Sequence, residues 1–245
     1  MTRDLRFGGK VSKPSVRKLD DMRDVIYDKK WLKHAGNPEI CYMYRDLSLS
    51  IKDRQIILEN KLRYDMTVIP PRMLGTEYVK TAGHYHPSAP GTDLSYTEIY
   101  EVLEGDAHYL LQKRQNDDIV DVILLKAEKG DKVIIPPDYG HVTINPSNKE
   151  LKMCNWVARN FSSIYEPIRE KGGAAYFELT TGFIENENYG DIPEMRFLKP
   201  ANFPDVGLHK NKEMYGLIRK DPKLLEFLTK PQDYKWLFDM VLANG

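Results

Sequence analysis

Two segments of the chain carry residue types that bind metal ions. The first, GHYHPSAPGTDLSYTEIYEVLEG at residues 83–105, contains His84, His86 and Glu98. In a strand, residues two positions apart point to the same face and lie about 6.6–6.8 Å apart along the chain, so both imidazoles can reach one ion at about 2.1 Å each. Glu98 begins the following strand-like run and adds a carboxylate oxygen. This segment predicts half of a metal site, and the rest must come from elsewhere in the chain.

The second segment, GDKVIIPPDYGHVTIN at residues 130–145, supplies another imidazole. Gly130 begins a tight turn, an apolar strand follows, and the turn at residues 136–140 leads directly to His141. Three imidazoles and one carboxylate suit Fe, Mn, Ni, Co or Zn and leave positions for water or substrate oxygens. A His-x-His pair alone is a weak signal, whereas four candidate ligands beside predicted turns are hard to ascribe to chance. We therefore predict a metal site formed by His84, His86, Glu98 and His141.

The other histidines have simpler interpretations. His34 lies at the end of a predicted helix, where a cation is favourable, and His209 lies in an irregular connector, so both are expected to be solvated. His108 follows a predicted hairpin and is expected to be a hydrogen-bonded structural residue.

Short β-like runs separated by turns dominate residues 54–185. Clusters of Gly, Pro, Asn and Asp supply the turns between them. Many short strands with little helix predict a closed or nearly closed β sandwich or barrel. The predicted strands are Met66–Pro70, Thr76–Lys80, Thr97–Leu103, Ala107–Lys113, Val120–Lys126, Asp131–Ile135, His141–Asn145 and Leu151–Ala158.

Helices are predicted on both sides of this β region. In residues 15–35, SVRKLDDMRDVIYDKKWLKHA, apolar residues recur at spacings of three and four, which predicts an amphipathic helix with Ser15 as its N-cap. In the tail, Pro222 and Pro231 mark helix starts. The apolar stripe of the tail is expected to pack on the barrel or on a partner subunit, and it comprises Leu224, Leu225, Phe227, Leu228, Trp236, Leu237, Met240 and Val241.

These patterns predict a mainly β fold with an N-terminal helix and a C-terminal helical extension. The expected regions are an N-terminal helix and strand arm at residues 1–50, a barrel at 51–190, and a connector with the helical extension at 191–245. The run EICYMYRDLS within the first region alternates like a strand.

Composition limits the class of protein. The 245 residues are 41% hydrophobic, and 36 basic residues balance 36 acidic ones. A core can therefore form, and the basic excess typical of nucleic-acid binders is missing. The N-terminus has no apolar signal core and no run approaches the roughly 20 apolar residues of a membrane span, so we expect a soluble cytoplasmic protein. The two cysteines, Cys41 and Cys154, are expected to be buried free thiols rather than a disulfide.

The two metal-binding segments resemble the motifs of the cupin superfamily. The first motif, His-x-His followed by Glu, six residues and Gly, is matched by His84, His86, Glu98 and Gly105. The second motif is matched by Gly130, Pro136, His141 and Asn145. Residues 87–97 form a longer insertion than is usual, and Asp138 replaces the usual second glycine. The resemblance implies a double-stranded β-helix, which is a jelly-roll-like barrel.

More narrowly, the sequence is similar to the cupin-type glucose-6-phosphate isomerases found mainly in archaea. The similarity runs from residue 15 to about residue 180, through TAGHYH, EIYEVLEGDAHYLLQ and VIIPPDYGHVTIN. The resemblance implies the same four metal ligands. It implies substrate and phosphate contacts from Thr67, Thr81, Gly83, Tyr100 and Tyr165. The segment WVARNFSSIYE keeps Tyr165 but lacks a histidine and a second tyrosine of the family.

The implied activity is a metal-dependent aldose–ketose isomerisation between glucose 6-phosphate and fructose 6-phosphate, in glycolysis and gluconeogenesis. The resemblance also implies a homodimer with one divalent ion per subunit, and Fe is expected before Mn, Ni, Zn or Co. Glu98 is the expected catalytic base if hydrogen moves through an enediolate. A direct hydride shift stays open, because a metal-bound carboxylate is a weaker base.

Fold alone does not fix function. The same ligand set with Fe would suit a cupin dioxygenase, and another sugar-phosphate isomerase would use the same site. A metal-free or sugar-sensing cupin is the non-enzymatic alternative, and the four-ligand set argues against it.

Overall fold

Strands provide most of the regular structure in residues 3–244, the part of the chain that this computed structural model describes. The strands are β1 (Leu5–Phe7), β2 (Lys10–Ser12), β3 (Ser15–Lys18), β4 (Glu39–Tyr44), β5 (Leu62–Ile69), β6 (Met73–Leu74), β7 (Glu77–Tyr78), β8 (Glu98–Glu104), β9 (Asp106–Gln115), β10 (Asp118–Glu128), β11 (Lys132–Ile135), β12 (Tyr139–Ile144), β13 (Leu151–Ala158), β14 (Tyr176–Leu179), β15 (Gly182–Glu185) and β16 (Arg196–Leu198). The α-helices are α1 (Lys29–Leu32), α2 (Ile51–Glu59), α3 (Glu166–Glu170), α4 (Leu217–Lys220) and α5 (Lys235–Ala243). Short 3₁₀ helices cover Leu19–Val25, Glu187–Tyr189, Pro204–Val206, Pro222–Leu228 and Pro231–Tyr234.

Two sheets enclose the main core. The larger sheet has the strand order β11-β8-β13-β5-β4-β3, and the smaller has the order β12-β9-β10-β16, in which β10 and β16 run parallel. Tyr100 and Met153 from the larger sheet share one apolar cluster with Tyr109 and Ile123 from the smaller sheet. The sheets therefore face each other in the jelly-roll arrangement of the cupin fold, without closing into a continuous barrel.

The larger sheet has two chemically different faces, because successive strand residues point to opposite sides. Tyr100 and Met153 point toward the smaller sheet, and we name this side the inner face. Their neighbours Ile99, Cys154 and Trp156 belong to a second apolar cluster together with C-terminal residues. We name that side the outer face.

The C-terminal extension, residues 191–244, covers the outer face. The indole N–H of Trp156 donates to the Met214 carbonyl oxygen at 3.2 Å, and the Met214 N–H donates to Glu101 at 2.8 Å. Pro222 and Pro231 lie at the starts of their helices, which confirms the predicted helix starts.

The apolar stripe of the extension packs mainly on its own chain. Trp236 and Met240 are the stripe residues left substantially exposed, at 42% and 45%. The buried members are Leu225, Phe227, Leu228, Leu237 and Val241. The larger sheet is therefore the main packing partner of the stripe.

The single helix predicted over residues 15–35 is wrong. Ser15–Lys18 forms an edge strand of the larger sheet, and the 3₁₀ helix Leu19–Val25 and the four-residue α1 follow it. Met22 leaves helical geometry at φ −146° and ψ 19°. The spacing nevertheless identified core residues, since 3₁₀ turns also bring positions three apart to one side, and these residues are each at most 1% exposed: Leu19, Met22, Val25 and Ile26.

Helix α2 was not predicted, because its apolar residues do not form a stripe. Ile51 is 84% exposed and Leu58 is 43% exposed, whereas Ile57 is buried. The signal that was available is Ser50, whose hydroxyl oxygen accepts a hydrogen bond from the Asp53 N–H at 3.0 Å as an N-cap.

The predicted strands near the site are confirmed to within a few residues, except that Thr76–Lys80 shortens to Glu77–Tyr78. Cys41 and Cys154 are buried free thiols, as predicted. No helix in residues 3–244 combines the length and apolar character needed to cross a membrane.

Candidate metal centre and substrate pocket

The four predicted ligands converge on one point. His84 and His86 lie between β7 and β8, Glu98 is the first residue of β8, and His141 belongs to β12. One nitrogen or oxygen atom from each of the four lies within 4.8 Å of the others. His84 and His141 also exchange two backbone hydrogen bonds of 3.2 and 3.0 Å. These bonds fix the two halves of the site against each other.

The distances between these atoms suit ligands of a single ion. Nε2 of His86 lies 3.3 Å from Nε2 of His84. Oε2 of Glu98 lies 3.4 Å from Nε2 of His86 and 3.4 Å from Nε2 of His141. Atoms that each lie about 2.1 Å from one metal ion are about 3.0–3.4 Å apart at octahedral or tetrahedral angles. The four residues therefore fit a divalent ion.

The protonation states of the cluster also favour a cation. Nδ1 of His86 lies 3.0 Å from the Tyr96 carbonyl oxygen. Because that oxygen can only accept, Nδ1 carries the proton and Nε2 keeps its lone pair. Burial and the nearby His141 lower the pKa of His84 well below its usual value, which keeps this imidazole neutral. Burial raises the pKa of Glu98, but contacts with His141 and His86 outweigh it and hold that pKa well below the ordinary range.

Asn155 orients the carboxylate ligand and was missed by the sequence analysis. Its Nδ2 donates to Oε1 of Glu98 at 2.6 Å, which leaves Oε2 toward the imidazoles. Partners of this kind tune metal affinity through the ligand that they hold. The available signal was a single amide side chain within the apolar strand LKMCNWVA.

The five residues expected to contact substrate line one cavity that also contains the metal ligands. Its volume is about 100 Å³. Since a water molecule needs about 10–15 Å³, the cavity has room for several water molecules. The five residues are Thr67, Thr81, Gly83, Tyr100 and Tyr165.

Tyr100 and Tyr165 each lie close to one of the candidate ligands. The hydroxyl of Tyr100 lies 3.2 Å from Nε2 of His141, and burial raises the pKa of Tyr100 well above its usual value, so the phenol stays neutral. The ring of Tyr165 lies 5.4 Å from that of His84 between centroids. Both phenols can therefore contact a molecule held at the cluster.

Thr81 and Gly83 have local structural roles besides lining the cavity. Oγ1 of Thr81 accepts a hydrogen bond from the Thr143 N–H at 3.0 Å, so its hydroxyl hydrogen can still be donated. Gly83 has φ +79°, and a Cβ there would lie 2.6 Å from Cγ2 of Val142. Only glycine fits at this position, because a side chain would clash with Val142 and strain the backbone.

The two departures from the cupin motifs contact each other. Asp138 occupies the motif's second glycine position with φ +69°, a conformation that Asp tolerates better than most residues. Its N–H donates to Oγ of Ser95 at 2.7 Å, and its Oδ1 accepts from the Ser95 N–H at 3.0 Å. The insertion at residues 87–97 is thereby fastened to the turn that precedes His141.

The insertion also reaches the metal cluster. Its residue Tyr96 stacks on Phe161 with centroids 4.8 Å apart, and Phe161 lies 4.7 Å from the ring of His86. Together with the Tyr96 carbonyl bond described above, these contacts orient His86 from two sides.

His108 behaves as expected for a structural histidine. Its Nδ1 lies 2.8 Å from Oε1 of Glu178, away from the cluster. Within residues 3–244, only the cluster described above brings three or more potential metal ligands together.

Charged residues in the cavity were also missed. Arg17, Arg45, Arg63 and Asp65 line it together with the predicted residues. They come from β3, β5 and the end of β4, and no short motif links positions so far apart in the sequence.

The family model and the relatives that match this chain carry the same description. The family model described as "Glucose-6-phosphate isomerase (GPI)" matches residues 16–194. Glucose-6-phosphate isomerase from Thermococcus litoralis is 29% identical over 164 residues, and that from Pyrococcus furiosus is 27% identical over 161 residues. Each alignment covers 66% of this chain and 78% of the relative. Among solved structures, a predicted oxalate decarboxylase from Thermotoga maritima is 19% identical with a TM-score of 0.35, and the match covers 59% of this chain and 90% of that one.

Proposed function

Since this chain belongs to the glucose-6-phosphate isomerase family, we propose that it interconverts glucose 6-phosphate and fructose 6-phosphate at the candidate metal centre. The observation that carries the proposal is the convergence of three imidazoles and one carboxylate within a cavity that also contains hydroxyl donors. The ligands are His84, His86, Glu98 and His141.

The residues present would hold one divalent ion per subunit, with Fe expected before Mn, Ni, Zn or Co. When bound there, such an ion supplies Lewis-acid chemistry, which polarises the substrate carbonyl and stabilises negative charge on its oxygen. Tyr100 can donate from its neutral phenol to a substrate oxygen. The hydroxyls of Thr67 and Thr81 can orient the rest of the molecule.

Glu98 has the position of a catalytic base in the proposed reaction. In the enediolate route, it would take a proton from C2 of the aldose and return it to C1, while the hydroxyl proton of O2 passes to O1. However, its low pKa and the hydrogen bond from Asn155 both weaken it as a base. In the alternative route, hydrogen passes directly from C2 to C1 as hydride, and the hydroxyl proton of O2 passes to O1. Isotope retention separates the routes: deuterium at C2 of the aldose stays at C1 after a hydride shift, whereas an enediolate exchanges it with solvent.

The proposal is tested by following the conversion of fructose 6-phosphate to glucose 6-phosphate through a coupled dehydrogenase. We expect activity to disappear on chelation and to return with at least one divalent ion. Activity that survives complete metal removal, or that no divalent ion restores, would contradict the proposal. Other aldose and ketose phosphates in the same assay distinguish this substrate pair from those of related isomerases.

The proposed setting is cytoplasmic, in glycolysis and gluconeogenesis, and the proposed assembly is a homodimer. The family relationship supports these proposals. The apolar stripe supports dimerisation less than expected, because most of it is buried against the same chain and leaves Trp236 and Met240 exposed. Light scattering tests the dimer, and a monomeric mass would contradict it.

A further inference from the structure

A second cavity lies where the C-terminal extension meets the insertion at residues 87–97, and we name it the extension cavity. Its volume is about 450 Å³, and small-molecule sites usually measure about 300–1,000 Å³. It shares no lining residue with the cavity of the metal centre. The family model ends at residue 194, so the wall that the extension supplies lies outside the part of the chain that matches the isomerase family. The proposed isomerase reaction therefore leaves this cavity without a role.

The walls of the extension cavity are held in place by hydrogen bonds. The insertion is fastened to Asp138, as described above, and Thr97 at its end donates to the carbonyl oxygen of Phe227 at 3.0 Å. On the side of the extension, the ammonium of Lys230 lies 2.6 Å from the carboxylate of Glu226. A ligand would thus meet walls that are already ordered, which lowers the entropic cost of binding.

The floor of the cavity is apolar and includes one aromatic ring. Leu62, Ala158 and Leu225 line it and are each at most 3% exposed. Tyr96 also lines it, is 8% exposed, and is held by stacking on Phe161. Within residues 3–244, the hydrogen bonds of Tyr96 use only its main chain, so its phenol hydroxyl can bond to a ligand. A fixed aromatic ring in a cavity wall suits a ligand that contains a flat ring.

Two side-chain amides also line the cavity without a partner of their own. Asn160 and Gln232 are exposed, and neither amide makes a hydrogen bond to another group in the described part of the chain. An amide presents a donor and an acceptor side by side, which match the amino group and the adjacent ring nitrogen of adenine. The amides and the aromatic ring together favour a purine base.

The charges of the cavity favour an anion. Lys61 and Lys223 are exposed, and no carboxylate in residues 3–244 lies within 4 Å of either ammonium, whereas Lys230 is paired with Glu226. Glu59 is the other acidic residue in the lining, so three lysines stand against two glutamates. The two unpaired ammonium groups can form charge-assisted hydrogen bonds with phosphate oxygens.

We propose that the extension cavity binds a purine nucleoside monophosphate. The base contacts Tyr96 and hydrogen-bonds to Asn160 and Gln232, and the phosphate pairs with Lys61 and Lys223. This site is separate from the catalytic cavity, and the proposal does not depend on the proposed isomerase function.

The test measures binding of adenosine monophosphate (AMP), adenosine and inorganic phosphate to the full-length, metal-loaded protein by calorimetry. We expect AMP to bind about 10-fold more tightly than adenosine or inorganic phosphate, because only AMP reaches both the floor and the lysines. We expect saturating fructose 6-phosphate to leave AMP binding unchanged, because the two cavities share no residue. Displacement of AMP by fructose 6-phosphate would place AMP in the catalytic cavity and contradict the proposal.

Substitutions at the two ends of the site have different expected effects. Lys223→Gln should weaken AMP binding about 10-fold and leave adenosine binding unchanged, because only the phosphate contact is lost. Asn160→Ala should weaken the binding of AMP and adenosine alike, by about 3- to 10-fold, because a neutral hydrogen bond to the base is lost. Lys52→Gln is the matched control, since Lys52 is an exposed lysine of α2 that does not line the cavity.

The substituted side chains make no hydrogen bond or ion pair within residues 3–244, so an unchanged melting temperature and metal content verify that each variant is folded. We expect Lys52→Gln to bind AMP as the original protein does. Equal AMP affinity in Lys223→Gln, Asn160→Ala and Lys52→Gln would overturn the proposal, as would the absence of AMP binding to the original protein at millimolar concentration.

Discussion

The inner and outer faces of the larger sheet are built from the same strands but serve different purposes. The inner face carries polar groups that converge on the candidate metal centre, whereas the outer face is mostly apolar and is covered by the C-terminal extension. Three consecutive residues of β13 show the contrast: Asn155 donates to a metal ligand on the inner face, and Cys154 and Trp156 are fully buried on the outer face. Alternation along a strand thus separates chemistry from stability at a spacing of one residue.

The extension also contacts the strand that carries a candidate metal ligand. Thr97, directly before the ligand Glu98, donates from Oγ1 to the carbonyl oxygen of Phe227 at 3.0 Å. The extension therefore anchors the start of β8 as well as shielding the sheet. Substitutions on the two faces show how far metal binding and folding stability can be separated.

The largest expected effect on the inner face comes from removing one ligand. We predict that His86→Ala lowers metal affinity by more than about 100-fold, since even partners that only orient a ligand contribute 10–100-fold. Metal content after dialysis, with isomerase activity, provides the measurement. His108→Ala is the control, because that histidine also contacts a carboxylate but lies outside the cluster. Equal metal content in the two variants would contradict the assigned ligand set.

The largest expected effect on the outer face comes from Phe227, whose side chain is fully buried. We predict that Phe227→Ala lowers the free energy of unfolding by about 3–5 kcal/mol, because it removes buried apolar surface and leaves a cavity. Urea denaturation measures this change. Leu58→Ala, at a site 43% exposed, should change stability by less than about 0.5 kcal/mol. The folded Phe227→Ala variant should still bind one metal ion, and loss of the ion without unfolding would show that the faces are not separable.

A smaller effect is expected where the inner face only supports a ligand. We predict that Asn155→Leu lowers metal affinity by about 10- to 100-fold, because Glu98 loses the hydrogen bond that orients its carboxylate. Competition with a metal-binding dye measures the affinity. Cys154→Ala is the adjacent outer-face control and should leave metal affinity unchanged while lowering stability. If both variants lose metal affinity equally, general loosening of β13 explains the effect better than the Asn155 contact.

The smallest expected effect concerns acid stability where α2 meets the extension. Hydrogen bonds from Arg219 and Tyr215 lower the pKa of buried Asp53 in the folded protein. The ionised Asp53 carboxylate therefore adds to the free energy of unfolding above the pKa of Asp in the unfolded chain, about 3.9. This stabilisation is lost as the pH falls through the lower pKa of the folded protein. We predict that Asp53→Asn is less stable near pH 7 and loses less stability than the original chain between about pH 4 and pH 2. Urea denaturation across this range, with the exposed Asp233→Asn as control, provides the measurement. Parallel pH profiles for Asp53→Asn and the original chain would contradict the assignment.

The same comparison explains what the sequence could predict. The four candidate metal ligands lie in two short segments, each with characteristic spacing and turns, so local patterns were sufficient to predict that they converge. Arg17, Arg45 and Arg63 are scattered along the chain, and only the pairing of β3, β4 and β5 brings them to one cavity. Asn155 was missed for the same reason, because its role depends on a neighbouring strand.

Errors in the predicted elements also have a physical basis. At residues 15–35, apolar positions three and four apart indicated burial correctly but not the backbone that produces it, which is a strand followed by 3₁₀ turns. Helix α2 exposes Ile51 and so lacks the stripe by which amphipathic helices are predicted. The helices of the extension were predicted from their prolines, whereas their packing on the outer face depends on long-range contacts.

The most direct test of the metal centre is an anomalous difference map from crystals soaked with Mn²⁺. We predict one peak per subunit, between Nε2 of the three histidines and Oε2 of the carboxylate, at distances of about 2.0–2.3 Å from each. The assigned residues are His84, His86, His141 and Glu98. A map with no peak there at saturating Mn²⁺, or with the ion bound only elsewhere on the chain, would contradict the account.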